Sequence, residues 1–342
     1  MGAITHIGWC DASWNPIGGC SIKSHGCNRC YAQRIAGSPR LADHPLYKGV
    51  TTESKAGPVF NGKLTVAPDD HPIWTWPIRW RGSKFPKAGA GQPSMIFVGD
   101  MSDLFHEDRP TSVIDKVVAS CIYSRHICQL LTKRADVMRA YFTELKASGR
   151  WLDFAHPMFG KPNFDPAVAE YERVFSRLWL GISAEDQTRA DERIADLLAT
   201  PAAIRFVSAE PLLGPIDFHP KDYIVEKLSP WYTKDAFDPT GSQPVKDRAY
   251  WLFPKIDWCI VGGESGPDFR PMKIEWAESA AKQFKDAGTP IFVKQDNGKN
   301  SGAKGRFSDE MWALKEFPVE PPEVPLQLGP DAKPERAQGE LL

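Results

Sequence analysis

Short, continuously apolar runs rich in β-branched and aromatic residues recur along this chain, set apart by stretches of helical spacing. The first clear run is Met95-Ile96-Phe97-Val98-Gly99-Asp100, and after it residues 113, 114, 117, 118, 121 and 122 are apolar at helical intervals. Further runs are His126–Leu131, Leu178–Ile182, Ile204–Ser208, Trp258–Val261 and Pro290–Val293. Amphipathic helices are predicted over Ala190–Leu198 and Ile274–Ala287. Six buried strands, most followed by a helix, form the pattern of a parallel sheet covered by helices. A strand near Ile7–Trp9 would raise the count to seven.

The polar positions carry a second regularity. Nearly every strand ends in polar or glycine residues: Asp100 and Asp103, Thr132 and Lys133, Ser183 and Glu185, Ser208 and Glu210, Gly262, Gly263 and Glu264, then Lys294 and Gln295. The carboxyl edge is where ligands bind in α/β sheets and barrels, so these residues are expected to line one site. Glu185 and Glu210 could equally be ion-paired strand ends. Residues 38–93, expected to carry a small hairpin, and 219–256 break the periodicity and read as insertions in a single domain spanning 1–316. The tail, 317–342, holds six prolines among charges and reads as disordered.

Composition changes this picture little, since 42% hydrophobic and 25% charged residues are ordinary for a globular protein. No membrane span is visible, nor a basic-then-apolar leader, which points to a soluble cytoplasmic protein with reduced thiols. The net charge of −1 hides an asymmetry: residues 1–92 hold eleven Lys/Arg against five Asp/Glu. That region also contains Trp9, Trp14, Trp74, Trp76 and Trp80, with Arg79, Arg81, Lys84 and Lys87 as its densest basic cluster. Nucleic acid is a compatible partner; a solvated face over packed tryptophans is the alternative.

The strongest chemical signal is Gly19-Cys20-Ser21-Ile22-Lys23-Ser24-His25-Gly26-Cys27-Asn28-Arg29-Cys30-Tyr31, a C-x6-C-x2-C loop opening a helix. Three cysteines without a neighbouring fourth suit an iron-sulfur cluster with one iron left open, whereas a closed structural zinc site takes four protein ligands. Cys10, His25 and His106 are the candidates for a fourth ligand. Cys121, Cys128 and Cys259 sit in apolar runs and read as buried small hydrophobes.

A Cys-rich loop after the first strand, followed by parallel strands with acids at their ends, resembles the radical S-adenosylmethionine superfamily. The Cys loop together with Phe97–His106, Phe206–Gly214, Ile260–Gly266 and Phe292–Gln295 resembles, more narrowly, an uncharacterised phage-associated family with a three-cysteine motif. The usual superfamily spacing is C-x3-C-x2-C, from which this loop departs. The resemblance implies an α/β fold, a partial parallel (β/α) barrel of radical SAM type. It implies a [4Fe-4S] cluster on Cys20, Cys27 and Cys30, with S-adenosylmethionine on its open iron. Ser183 and Glu185 would hold the ribose, Gly262 and Gly263 would approach the adenine, and Asp100, Asp103 and Glu210 would line the cofactor site. An electron donor and a partner protein encoded nearby are implied too; the resemblance names no substrate, and the basic, tryptophan-rich N-terminal region makes a nucleic acid or nucleotide the leading candidate. Two other readings stand beside this one: a non-enzymatic zinc or iron-sulfur module, and a metal-dependent nuclease built on the strand-end carboxylates.

Overall fold

The structure, a computed structural model, describes residues 5, 7–80, 92–154, 159, 170–219 and 256–318. In chain order the elements begin with β1 (Ala12–Trp14), β2 (Ile17–Gly18) and helix α1 (Tyr31–Ala36). A small hairpin, β3 (Thr51–Ser54) and β4 (Gly57–Phe60), and the short β5 (Thr65–Val66) follow. The main body comprises β6 (Met95–Val98), α2 (Thr111–Ile122), β7 (Ile127–Thr132), α3 (Ala135–Ser148), β8 (Leu178–Ser183), α4 (Gln187–Ala199) and β9 (Ile204–Ala209). It closes with β10 (Trp258–Gly262), α5 (Ile274–Asp286) and β11 (Ile291–Gln295). Seven strands pair side by side in the order β1-β6-β7-β8-β9-β10-β11, every pairing parallel, in a curled half-barrel.

Alternation along each strand divides the core in two. Ile96 and Val98 of β6 face outward into the large core beneath the helices, whereas Met95 and Phe97 join Trp9, Trp179, Phe206, Trp258 and Phe292 on the concave face. Trp258 meets Trp9 and Trp179 edge-on, with ring centroids 6.2 and 5.8 Å apart. Edge-to-face packing of this kind plugs the floor of the half-barrel with rigid apolar area. Polar residues are thereby displaced toward the carboxyl edge.

The six predicted strands fall within a residue or two of their expected positions. The front strand does not: it is Ala12–Trp14, because residues 7–10 form a turn closed by Cys10 N–H to Ile7 O (3.2 Å) that sends Trp9 into the aromatic floor. Helix α3 goes beyond the sequence reading, although its buried Met138, Tyr141, Phe142 and Leu145 are helically spaced. Within 38–93, the hairpin and β5 are ordered pieces of the fold, β5 pairing with β2. Most of 219–256 and nearly all of the tail lie outside the described residues, as do Arg81, Lys84 and Lys87 of the basic cluster.

The tryptophans of the basic region are mainly structural. Trp9, Trp14 and Trp74 are at most 1% exposed, and Trp14 Nε1 donates to Ile73 O at 2.9 Å. These three are therefore unavailable as a stacking platform for bases, which corrects that part of the nucleic-acid expectation. Among the described residues no helix is long and apolar enough to cross a membrane.

Trp74 belongs to the main core and stacks edge-on against Trp14 at 6.4 Å, so the 38–93 segment is cemented to the barrel. Trp74→Ala is expected to lower unfolding free energy by about 3–5 kcal/mol in urea titrations. A loss below about 1 kcal/mol, the usual scale of a surface change, would show that the segment folds apart from the barrel.

Candidate functional site

At the carboxyl edge of the half-barrel a cavity of about 210 Å³ is floored by Trp9 and Phe97 and walled by strand ends. Cys20, Cys27 and Cys30 all line it. The loop carrying them has little regular structure. A single 3-10 turn (His25–Cys27) is closed by Cys27 N–H to Ser24 O (2.9 Å), and Cys30 N–H reaches Cys27 O (3.2 Å). From α1, Gln33 Nε2 donates to Cys27 O at 2.8 Å. The loop's conformation is imposed mainly by side chains of the barrel.

Two charged residues do most of this. Glu185 is fully buried, accepts a short hydrogen bond from Ser24 Oγ, and pairs with Arg193 Nη1 of α4 at 2.9 Å. Gly26 rests against this carboxylate, where a Cβ would lie 2.8 Å from it, so any larger residue here must displace Glu185 or the loop. Arg134, 1% exposed, approaches Cys20 Sγ with Nη1 (3.9 Å) and donates from Nη2 to Ser21 Oγ (2.8 Å). The same guanidinium meets Asp103 Oδ2 at 3.0 Å and Glu107 Oε2 at 2.5 Å. Outer ties complete the clamp: His25 Nε2 to Asp186 at 2.9 Å, Lys23 to Glu107 at 2.6 Å, and Arg270 Nη1 to His25 O at 2.9 Å.

The strand-end residues separate into two groups. Asp100, Asp103, Ser183, Glu210 and Gly263 line the cavity with the cysteines; Glu185 and Gly262 do not. Glu185 cannot serve a ribose from its present position, because Ser24 and Arg193 occupy its oxygens. Asp103 reaches the cavity wall, but its carboxylate accepts from Phe105 N, Thr132 Oγ1, Lys133 N and Arg134 Nη1, making it an anchor of the wall. Glu210 pairs with Lys294 at 3.0 Å and accepts from Ser208 Oγ at 3.2 Å. A Cβ on Gly262 would meet that Glu210 carboxylate at 2.6 Å, and one on Gly263 would strike Asn297 N at 2.3 Å. Protein neighbours thus account for both glycines without a flat ligand.

Asp100 differs from the other acids. Its Oδ1 accepts from Asn15 Nδ2 at 2.5 Å, Tyr31 Oη sits 3.4 Å from Oδ2, and no cation pairs with it among the described residues. Burial pushes its carboxyl above the ordinary range against these hydrogen bonds. Burial also pushes the Cys20 thiol up to about 12, with Asp103 adding and Arg134 opposing, and it raises Cys30. Binding a metal here would release thiol protons.

The other cysteines stand apart. Cys121, Cys128 and Cys259 are buried in the main core, and Cys10 hydrogen-bonds Ile7 O beside the aromatic floor. His106 uses Nε2 on Ser21 Oγ and Nδ1 on Asp108 N–H, so neither His25 nor His106 is aimed at the thiols as a fourth ligand. Arg134 and Ser21, which brace Cys20, carry no local sequence signal beyond the polar strand end Thr132-Lys133-Arg134.

A family model described as protein of unknown function, DUF5131, matches residues 4–316, and the chain belongs to that family. No curated protein and no solved structure matches it.

The Glu185 tie has a pH signature. Burial alone would raise its carboxyl, but Lys133, Arg193 and Ser24 outweigh this and hold it below the ordinary glutamate range. A carboxylate depressed in this way stabilises the fold above its unfolded pKa, and the contribution is lost as pH falls through the folded value. Glu185→Gln is expected to cost about 3–5 kcal/mol near neutrality, since Arg193 is left buried without its partner. The gap between wild type and variant should narrow as pH drops below about 4.3, the ordinary glutamate value. A gap independent of pH would mean that this carboxylate is not the charged tie.

Proposed function

We propose that this protein is a radical S-adenosylmethionine enzyme whose Cys20, Cys27 and Cys30 hold a [4Fe-4S] cluster at the carboxyl edge of the half-barrel. The observation that carries the reading is the gathering of these three thiols, and none of the other four, on the wall of one cavity above an aromatic floor. Among the described residues no three His, Cys, Asp or Glu side chains form a group placed to hold a metal ion. Three thiols lining one cavity, without a fourth protein ligand, are the donor set of a cluster with one open iron, whereas a structural zinc site takes four.

When bound, the cluster supplies one electron for reductive cleavage of the sulfonium of S-adenosylmethionine. The chain's own part is binding, orientation and exclusion of water. Arg134 and Glu185 hold the loop, and Trp9 and Phe97 close the cavity below. Asp100, with no cation against it among the described residues and Tyr31 beside it, is the acid best placed to accept from an ammonium group of a ligand. The nuclease alternative is less well supported, because Asp103, Glu185, Glu210 and Glu264 are each matched to Arg134, Arg193, Lys294 and Arg270.

Protein purified without oxygen is expected to carry about four irons, one cluster's content. Cys20→Ala, Cys27→Ala and Cys30→Ala should each abolish or sharply lower that content, while Cys259→Ala leaves it unchanged. Stoichiometric zinc with no iron in the freshly isolated protein would refute the reading.

A further inference from the structure

Behind Cys20 lies more positive charge than the neighbouring acids match directly. Arg134 is in contact with the thiol, and Arg109, also buried, donates to Thr65 O (3.0 Å), Gly18 O (3.4 Å) and Ser102 Oγ (3.0 Å). Those partners are neutral, Arg109 Nε has none, and no carboxylate lies in ion-pair range of Arg109 among the described residues. The wall behind Cys20 is therefore cationic, with Arg134 the part of it that reaches the sulfur.

Arg134 is the element of this wall that touches the sulfur. Its fork is held on Asp103, Glu107 and Ser21, which leaves Nη1 at 3.9 Å from Sγ. Hydrogen bonds and positive charge at a cluster's thiolates favour the more negative, reduced state. Accepting the cluster proposed above, we infer that Arg134 is a positioning residue that raises the cluster's reduction potential through the Cys20 sulfur, and that Glu107 moderates it by neutralising the same guanidinium. Reduction adds one electron to the cluster, taken from an external one-electron donor, and no bond is made or broken. Glu107 is the adjustable member, because its side chain is 44% exposed whereas those of Arg134 and Asp103 are 2% and 8% exposed.

The test is a dithionite titration, with redox mediators, of the full-length protein reconstituted without oxygen, read from the cluster's absorbance and paired with iron analysis. Arg134→Gln is expected to lower the midpoint, changing the reduced-to-oxidised ratio at fixed potential by about tenfold, or about 59 mV for one electron. Arg134→Lys should fall between. Glu107→Gln should shift the midpoint the opposite way. Arg150→Gln, which breaks a remote pair with Asp115, should leave it unmoved. Midpoints that shift together, or not at all, in proteins retaining wild-type iron would overturn the role of Arg134 while leaving the cluster reading intact. Should Arg134→Gln take up no iron, Glu107→Gln decides alone, and the absence of a positive shift there overturns the inference. A wild-type protein that holds no iron overturns the cluster reading and this inference with it.

Discussion

The cysteine loop depends on the buried contact between Glu185 and Ser24. A loop with one short turn cannot hold three thiols in place through its own backbone bonds. Its geometry must come from the barrel, and the barrel supplies a carboxylate that Lys133 and Arg193 keep charged in a fully buried setting. Gly26 is shaped to that carboxylate, and Arg134 braces the other end of the loop at Ser21. The two charged side chains come from the ends of adjacent strands, β8 and β7, so sheet curvature sets the distance between the two ends of the loop.

That arrangement explains why the acids at the carboxyl edge are so heavily engaged. Asp103, Glu185, Glu210 and Glu264 each face a lysine or arginine, and their task is to hold the wall and the loop. Asp100 is the exception, held by an amide and set beside a phenol. Below them the layer of Trp9, Phe97, Trp179, Phe206 and Trp258 admits little polar chemistry, which confines reactivity to the cavity above.

Much of the fold was legible in the sequence, because a parallel strand buried on both faces must be apolar throughout, and runs such as Leu178–Ile182 satisfy that without context. The front strand was misplaced because Ile7 and Trp9 are apolar for another reason: they fill the floor of the half-barrel from a turn. The cysteines as a group were equally legible, since their spacing is local. The role of Glu185 was not. Ser24 and Glu185 are 161 positions apart, and a polar strand end looks the same whether it faces a ligand or a loop. Gly262 and Gly263 misled for a related reason: the backbone of Asn297 excludes a Cβ at Gly263 as strictly as a ligand would, and the Glu210 carboxylate crowds one at Gly262.

The central claim is that three thiols of this cavity hold a cluster with one iron left for a non-protein ligand. Electron paramagnetic resonance of the reduced, reconstituted protein, recorded with and without S-adenosylmethionine, tests it most directly. The expected result is the signal of a reduced [4Fe-4S] cluster whose shape changes when S-adenosylmethionine is added, because the cofactor binds an iron that no cysteine occupies. A cluster signal identical in both samples, or no cluster signal in either, would contradict it.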